Sequence, residues 1–149
     1  MNLTQRRGDA EDINTITGEV IRISMEIHKN LGPGLFETVY ELILARKLQD
    51  LGLDVARQVP VPIIYEDLRF EEGFRADIMI NRRVCLELKS VETLAPVHSK
   101  QLLTYLKLLN LEVGLLINFG APILKEGLHR IVNQYQGSLP SAPPRLRVT

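Results

Sequence analysis

Two neighbouring segments of this chain alternate in side-chain character with a period of two residues. Successive side chains of a β-strand point to opposite faces of a sheet, so this period is typical of strands. Because three residues separate segments 74–80 and 84–89, the sequence predicts a β-hairpin with a tight turn. On the first strand, one face would carry Phe74, Ala76, Ile78 and Ile80, and the other Arg75, Asp77 and Met79. On the second strand, Val84, Leu86 and Leu88 would oppose Cys85, Glu87 and Lys89.

The predicted hairpin sets two carboxylates against each other. If the turn is centred on Arg82, Asp77 lies directly opposite Glu87, and Arg75 lies opposite Lys89. Like charges that face each other across a ladder destabilise a sheet, so this pair indicates a positive group between them. A hard divalent cation with oxygen ligands is the simple candidate. The alternative is a solvated outer face on which Arg75 and Lys89 neutralise the acids, since charged residues are mostly exposed.

Length and composition limit the class of protein. A chain of 149 residues with 45% hydrophobic and 24% charged residues suits one soluble globular domain. We expect a cytoplasmic protein without membrane association, because the sequence has no signal pattern and no apolar run that could span a bilayer. Its single cysteine, Cys85, argues against a disulfide framework and a cysteine-type zinc site. A formal net charge of zero argues against a strongly basic nucleic-acid binder, but not against a local basic patch.

We predict a single domain over residues 13–137, with a flexible lead-in at 1–12 and a Pro/Ser-rich tail at 138–149. The strand–helix–strand order after Glu87 implies a right-handed crossover and a mixed sheet with helices on both faces. The predicted elements are a helix from about Thr17 to Leu31, a helix over 35–50, a strand over 55–65 that is an edge or the outer end of a hairpin, the hairpin strands over 70–80 and 84–91, a helix over 96–110, a central strand over 113–119, and a strand or short helix over 127–135.

Two helices carry further candidate site residues. Glu37 lies next to Phe36 at the margin of the predicted buried stripe of the second helix, where a carboxylate is costly without a partner. The alternative is a first-turn glutamate that interacts favourably with the helix dipole. That stripe is predicted to comprise Phe36, Val39, Tyr40, Ile43, Leu44, Leu48 and Leu51.

The third helix is expected to be mostly buried, with a polar stripe beside an apolar one. Spacings of three and four residues place His98, Gln101 and Tyr105 on one face. Leu102, Leu106 and Leu109 occupy another face. Ordinary hydrogen bonding within the core is the alternative interpretation of the polar stripe.

With these residues in place, the chain resembles the PD-(D/E)XK nuclease superfamily and, more closely, the small bacterial GxxExxY family within it. The resemblance covers about Ile16 to Asn133 and implies an α/β, restriction-endonuclease-like fold, a mixed β-sheet flanked by helices. The proline of the superfamily motif is absent, since Ala76 precedes Asp77. The motifs that carry the resemblance are Gly34-x-x-Glu37-x-x-Tyr40, Asp77, Glu87-x-Lys89 and Gln101-x-x-x-Tyr105.

The resemblance also implies a role for each matching residue. Asp77, Glu87 and Glu37 would bind Mg²⁺ or Mn²⁺, and Lys89 would orient or activate the attacking water. The Gln101 and Tyr105 pair would support the site and contact the substrate strand. His98, on the same helix face, and Arg75, on the predicted strand face of Asp77, are further candidates for substrate binding.

The resulting hypothesis is a divalent-metal-dependent nuclease that hydrolyses phosphodiester bonds of nucleic acid, with DNA favoured over RNA. The alternative is a non-catalytic module of the same fold that binds nucleic acid or a protein partner, since a fold does not fix a function. The intact set of two acids and a lysine favours the nuclease, because a binding module has no need of carboxylates that repel phosphate. A homodimer is also expected, because cutting both strands of a duplex usually needs two sites and twofold dimers are the commonest assemblies.

Overall fold

The computed structural model describes residues 2–134, and their side chains from residue 13 onward. The predicted tail at 138–149 lies outside the described residues. In chain order the elements are α1 (Asn2–Leu31), α2 (Glu37–Asp50), β1 (Val55–Tyr65), β2 (Leu68–Ile80), β3 (Val84–Lys89), α3 (Pro96–Leu109), β4 (Val113–Asn118), a 3-10 helix (Leu124–Gly127) and β5 (Leu128–Val132). None of the helices in this part of the chain is long and apolar enough to cross a lipid bilayer.

The strands form one mixed sheet in the order β1-β2-β3-β4-β5. Neighbouring strands are antiparallel except for β3 and β4, which are parallel because α3 crosses over between them. Helices α1 and α2 pack on one face of the sheet, and α3 packs on the other. This arrangement confirms the predicted mixed sheet, the edge position of β1 and the interior position of β4, whose residues are all buried.

The turn between α1 and α2 is held by Tyr40, the last residue of the Gly-x-x-Glu-x-x-Tyr motif. Its hydroxyl donates to Gly32 O at 2.6 Å and accepts from Leu35 N at 3.1 Å. Its ring stacks on Phe119 at 4.4 Å between centroids, in the core beneath the sheet. Gly34 has a φ of 101°, which favours glycine. The glycine and the tyrosine of the motif therefore have a structural role that is independent of any chemistry.

The first helix begins at Asn2, so the prediction that it begins near Thr17 was wrong. The apolar period continues in the N-terminal direction through Ile16 and Ile13, which are both buried against the sheet. Thr17 is buried within the helix, and its hydroxyl donates to Asn14 O at 3.2 Å instead of capping a terminus. The backbone of α1 also runs through residues 2–12, where the sequence predicted a flexible lead-in.

The buried face of α2 differs from the predicted stripe. Phe36 is 84% exposed, because it precedes the first helical residue instead of lying on the helix, and Val39 and Leu51 are also exposed. Glu37 therefore does not flank a buried stripe at Phe36. The residues of α2 that are buried are Tyr40, Glu41, Leu44, Ala45 and Leu48.

The predicted faces of β2 were only partly right. Ile78 and Ile80 face α1 and α2, but Ala76 packs in the cluster beneath α3. Phe74 stacks on Tyr105 of α3, at 3.9 Å between ring centroids. Phe74 and Ala76 therefore face α3, whereas Ile78 and Ile80 face α1 and α2. The strand changes face at Asp77.

Candidate metal and catalytic site

The register of the β2–β3 hairpin brings Asp77 and Glu87 together. The ladder pairs Ile80 with Val84 and Ile78 with Leu86, as expected for a turn centred on Arg82. Asp77 and Glu87 follow at the next position. Asp77 Oδ2 accepts a hydrogen bond from Leu88 N at 2.8 Å, and the Glu87 carboxylate accepts one from the Asp77 backbone. Each carboxylate is thus fixed to the strand that carries the other.

The second predicted pair, Arg75 opposite Lys89, does not form part of this ladder, which ends at Ile78 and Leu86. Arg75 is paired with Pro60 of β1 instead. Its guanidinium forms an ion pair with Glu72, with an Nη2–Oε2 distance of 2.6 Å. Arg75 therefore neutralises Glu72 and not the site acids, because β2 and β3 stop pairing before they reach it.

The two acids are poorly solvated. Glu87 is 8% exposed, and its Oε1 has no hydrogen-bond partner within the described part of the chain. Burial, followed by the charge of Asp77, raises the pKa of Glu87 to about 8. Burial also raises the pKa of Asp77 to about 6, against the opposing effect of the Leu88 hydrogen bond. The alternative of a solvated outer face is therefore excluded, and ionising both acids requires a compensating positive charge.

Lys89 supplies part of that charge. It is partly buried at the end of β3, and its ammonium lowers the pKa of both Asp77 and Glu87. The carbonyl of Lys89 accepts a hydrogen bond from Phe119 N at 2.8 Å, which continues the parallel alignment with β4. The lysine thus lies where the sequence predicted it, beside both acids.

Asn118, which the sequence analysis did not identify, fixes the chain that follows Lys89. Its Oδ1 accepts from Val91 N and Gly120 N, both at 3.0 Å, and its Nδ2 donates to Val91 O at 2.9 Å. Gly120 lies so close to this segment that a Cβ atom there would be 2.6 Å from Val91 N. The asparagine and the glycine therefore hold the carboxyl ends of β3 and β4 in register.

Glu37 approaches the site from the first turn of α2. Its side chain is exposed, and Oε2 accepts a hydrogen bond from Ser90 N at 3.2 Å. Ser90 Oγ in turn donates to Leu35 O at 2.6 Å, which ties the start of α2 to the end of β3. The charge of Glu37 raises the pKa of both Asp77 and Glu87. Glu37 is therefore a neighbour of the acidic pair, although its carboxylate is engaged by Ser90.

The predicted residues of α3 lie in different surroundings. Tyr105 is partly buried, and burial, followed by the charges of Glu87 and Asp77, raises its pKa. His98 Nδ1 accepts from Ala95 N at 3.1 Å and so caps the helix. Gln101 is exposed, contrary to the expectation of a mostly buried polar stripe. The structure thus brings Tyr105 to the acids and gives His98 a local structural contact.

A buried network on the other side of Asp77 was also missed. Glu41 of α2 is 4% exposed and accepts hydrogen bonds from Arg57 Nε at 3.0 Å and from Gln58 Nε2 at 2.9 and 3.0 Å. Its charge contributes to the raised pKa of Asp77. The sequence does contain one signal for it, because Glu41 shares the helical spacing of Leu44 and Leu48.

The side chains at the site provide only part of the ligand set of a divalent cation. Asp77 and Glu87 offer hard oxygen donors, one of which is buried without a partner. In residues 13–134, however, no group of three or more His, Cys, Asp or Glu side chains is arranged to hold a metal ion. An ion at this pair would take its remaining ligands from water and substrate phosphate, as Mg²⁺ commonly does.

Burial raises the pKa of the nearby Cys85 to about 12, so thiolate chemistry is excluded.

Comparison with known protein families assigns this chain to a class of proteins. A family model described as the PD-(D/E)XK nuclease superfamily matches residues 14–131. The chain therefore belongs to the PD-(D/E)XK nuclease superfamily, which confirms the predicted fold and supports a nuclease-type function with nucleic acid as substrate. Nucleases of this superfamily generally use divalent metals. No curated protein and no solved structure matches the chain.

Proposed function

We propose that this protein is a divalent-metal-dependent nuclease of the GxxExxY branch that hydrolyses phosphodiester bonds, with DNA favoured over RNA. One observation carries the proposal. Two carboxylates, Asp77 and Glu87, are held side by side with a buried unpartnered oxygen, and Lys89 lies next to them. A structural ion pair would instead leave no buried acceptor unsatisfied, since such groups are normally hydrogen-bonded.

Each residue then has a defined role. Asp77 and Glu87 would hold Mg²⁺ or Mn²⁺, which when bound lowers the pKa of its water and offsets charge on the phosphoryl group. Lys89 is a compact charge on a flexible stem and would hold the attacking water or a phosphate oxygen. Glu37 would join the ligand set by a direct or water-bridged contact after leaving Ser90 N.

The substrate strand would lie over the α3 side of the acids. Tyr105 is fixed there by its stacking on Phe74, and Gln101 is exposed one turn earlier on the helix. Arg75 would contact a phosphate only after releasing Glu72, and His98 only after releasing Ala95 N, so we give both smaller roles. For cleavage of both strands of a duplex, we propose a twofold homodimer.

The alternative function is a non-catalytic binding module of the same fold. It is favoured by the engagement of Glu37 with Ser90 and by the lack of a three-residue metal cluster within residues 13–134. Against it stands the cost of burying two acids that repel each other and any phosphate nearby. A binding surface gains nothing from that cost.

A cleavage assay of wild type and Lys89→Ala tests both the proposed function and the role of Lys89. Wild type and variant are incubated with Mg²⁺ or Mn²⁺ and with single-stranded DNA, duplex DNA or RNA. Loss of a group that stabilises developing negative charge should lower the cleavage rate by roughly 10²–10³-fold. Lys125→Ala, which removes an exposed lysine from the 3-10 helix, is the matched control and should cleave like wild type.

Two results of this assay would count against the proposal. Equal cleavage by Lys89→Ala and wild type would remove Lys89 from the mechanism. An absence of cleavage by wild type on all three substrates with either metal would favour the binding module.

A further inference from the structure

The β1–β2 ladder has a local break at Asp77, one of the two site acids. Arg57 pairs with Ile78 and Val59 pairs with Ala76, whereas the intervening Gln58 and Asp77 are not paired. Gln58 has a φ of 50°, in the left-handed region that non-glycine residues rarely adopt. No residue is inserted at this point, so the break changes the direction of the side chains and not the register.

Both strands exchange their faces at the break. On β1, Val55 packs in the α1/α2 core, but Val59 packs beneath α3. On β2, Ile78 packs in the α1/α2 core and Ala76 beneath α3. In a regular strand, residues two or four apart share a face. Because β1 and β2 change face at the same level, we attribute the change on both strands to the break at Gln58 and Asp77.

Glu41 holds the break in place. Its carboxylate accepts two contacts from Gln58 Nε2 and one from Arg57 Nε, and these two residues lie at and beside the unpaired position. A left-handed conformation at a non-glycine residue is strained and persists where the surroundings impose it. The buried anchor at Glu41 provides that constraint.

We infer that Gln58, held in its left-handed conformation by Glu41, is a positioning residue that turns the Asp77 carboxylate toward β3. The visible consequence is the hydrogen bond from Leu88 N to Asp77 Oδ2, which joins β2 to β3 beyond the end of their ladder. Any effect of the Gln58 conformation on metal binding rests on the proposed function. Its effect on the position of Asp77 does not.

The inference is tested in metal-free protein by amide hydrogen exchange, measured by NMR. Alanine resists a positive φ, whereas glycine adopts it freely. Gln58→Ala should therefore release Asp77 and lower the protection of the Leu88 amide by about tenfold, the factor expected on losing one hydrogen bond. Gln58→Gly also loses the Glu41 contacts, but glycine adopts the positive φ without strain and does not need them, so it should keep that protection within about threefold of wild type. The Leu115 amide, in the middle of the sheet, reports changes in global stability.

Three outcomes would overturn the inference. The first is unchanged Leu88 protection in Gln58→Ala. The second is an equal loss at Leu88 and Leu115, which would indicate a general loss of stability. The third is an equal loss in Gln58→Gly and Gln58→Ala, which would show that the backbone conformation of Gln58 does not hold Asp77.

Calorimetric titration with Mn²⁺ separates this inference from the proposed function. If both hold, Gln58→Ala should bind Mn²⁺ more weakly than wild type, and Gln58→Gly should bind it nearly as well. If wild type binds no Mn²⁺ while the Leu88 result stands, the proposed metal-dependent function is wrong and the positioning role of Gln58 is supported.

Discussion

Replacing Glu87 by glutamine should stabilise the metal-free protein. Glu87 is almost fully buried, next to Asp77, and its pKa is raised from 4.5 to about 8. The folded protein therefore binds more protons than the unfolded chain between these two values, and its free energy of unfolding falls as the pH rises from about 4.5 to about 8. Glutamine has a similar shape and does not ionise, so Glu87→Gln removes this loss.

The size of the effect follows from the pKa. At pH 7 the buried carboxyl keeps a proton that it would release on unfolding, at about 1.36 kcal/mol for each pH unit above 4.5, or about 3 kcal/mol in all. At pH 5 the same cost is below about 1 kcal/mol. For a chain of this size, about 3 kcal/mol corresponds to a rise in melting temperature of roughly 6–12 °C.

The assay is thermal and urea unfolding of both proteins in a chelator, at pH 5 and at pH 7. Glu26→Gln, an exposed glutamate on α1, is the matched control for the loss of a surface charge and should change stability by less than about 0.5 kcal/mol. A Glu87→Gln protein that is no more stable than wild type at pH 7, or that gains the same stability at both pH values, would show that ionisation of Glu87 does not limit the stability of the fold.

Four further results are expected. Mg²⁺ or Mn²⁺ should raise the melting temperature of wild type but not of Glu87→Gln, and an equal rise in both would locate the ion elsewhere. Gly120→Ala should destabilise the protein by about 1–3 kcal/mol, because its Cβ would meet the Val91 backbone. Gly18→Ala, with open space around it in α1, should be neutral or stabilising by up to about 1 kcal/mol, and equal effects of the two substitutions on urea unfolding would contradict this reading. Light scattering at micromolar concentration should give the mass of a dimer, and a monomer would refute the proposed twofold assembly.

Local patterns were sufficient for most of the fold. The apolar run at 113–119 predicted the interior strand β4, and Leu102 and Leu106 are buried as the helical spacing of α3 predicted. The length of the turn around Arg82 determined the register that brings Asp77 to Glu87. These features depend on residues that are close in sequence, so periodicity and turn length can specify them.

The missed features depend on contacts that are distant in sequence. Nothing local marks Gln58 for a positive φ, because its constraint comes from Glu41, seventeen residues earlier. The expected sharing of one face by Ala76 and Ile78 failed for the same reason. Asn118 likewise acts on Val91, in the segment after β3. Part of what supports the candidate site was thus visible only once the strands and α2 were packed together.

The proposed function requires that Asp77 and Glu87 together bind a divalent cation. Anomalous diffraction from crystals soaked in Mn²⁺ would locate such an ion. We expect a single strong peak within about 2.5 Å of oxygens from both carboxylates. A well-diffracting soaked crystal with no peak at this pair, or with its peak at other residues, would contradict it.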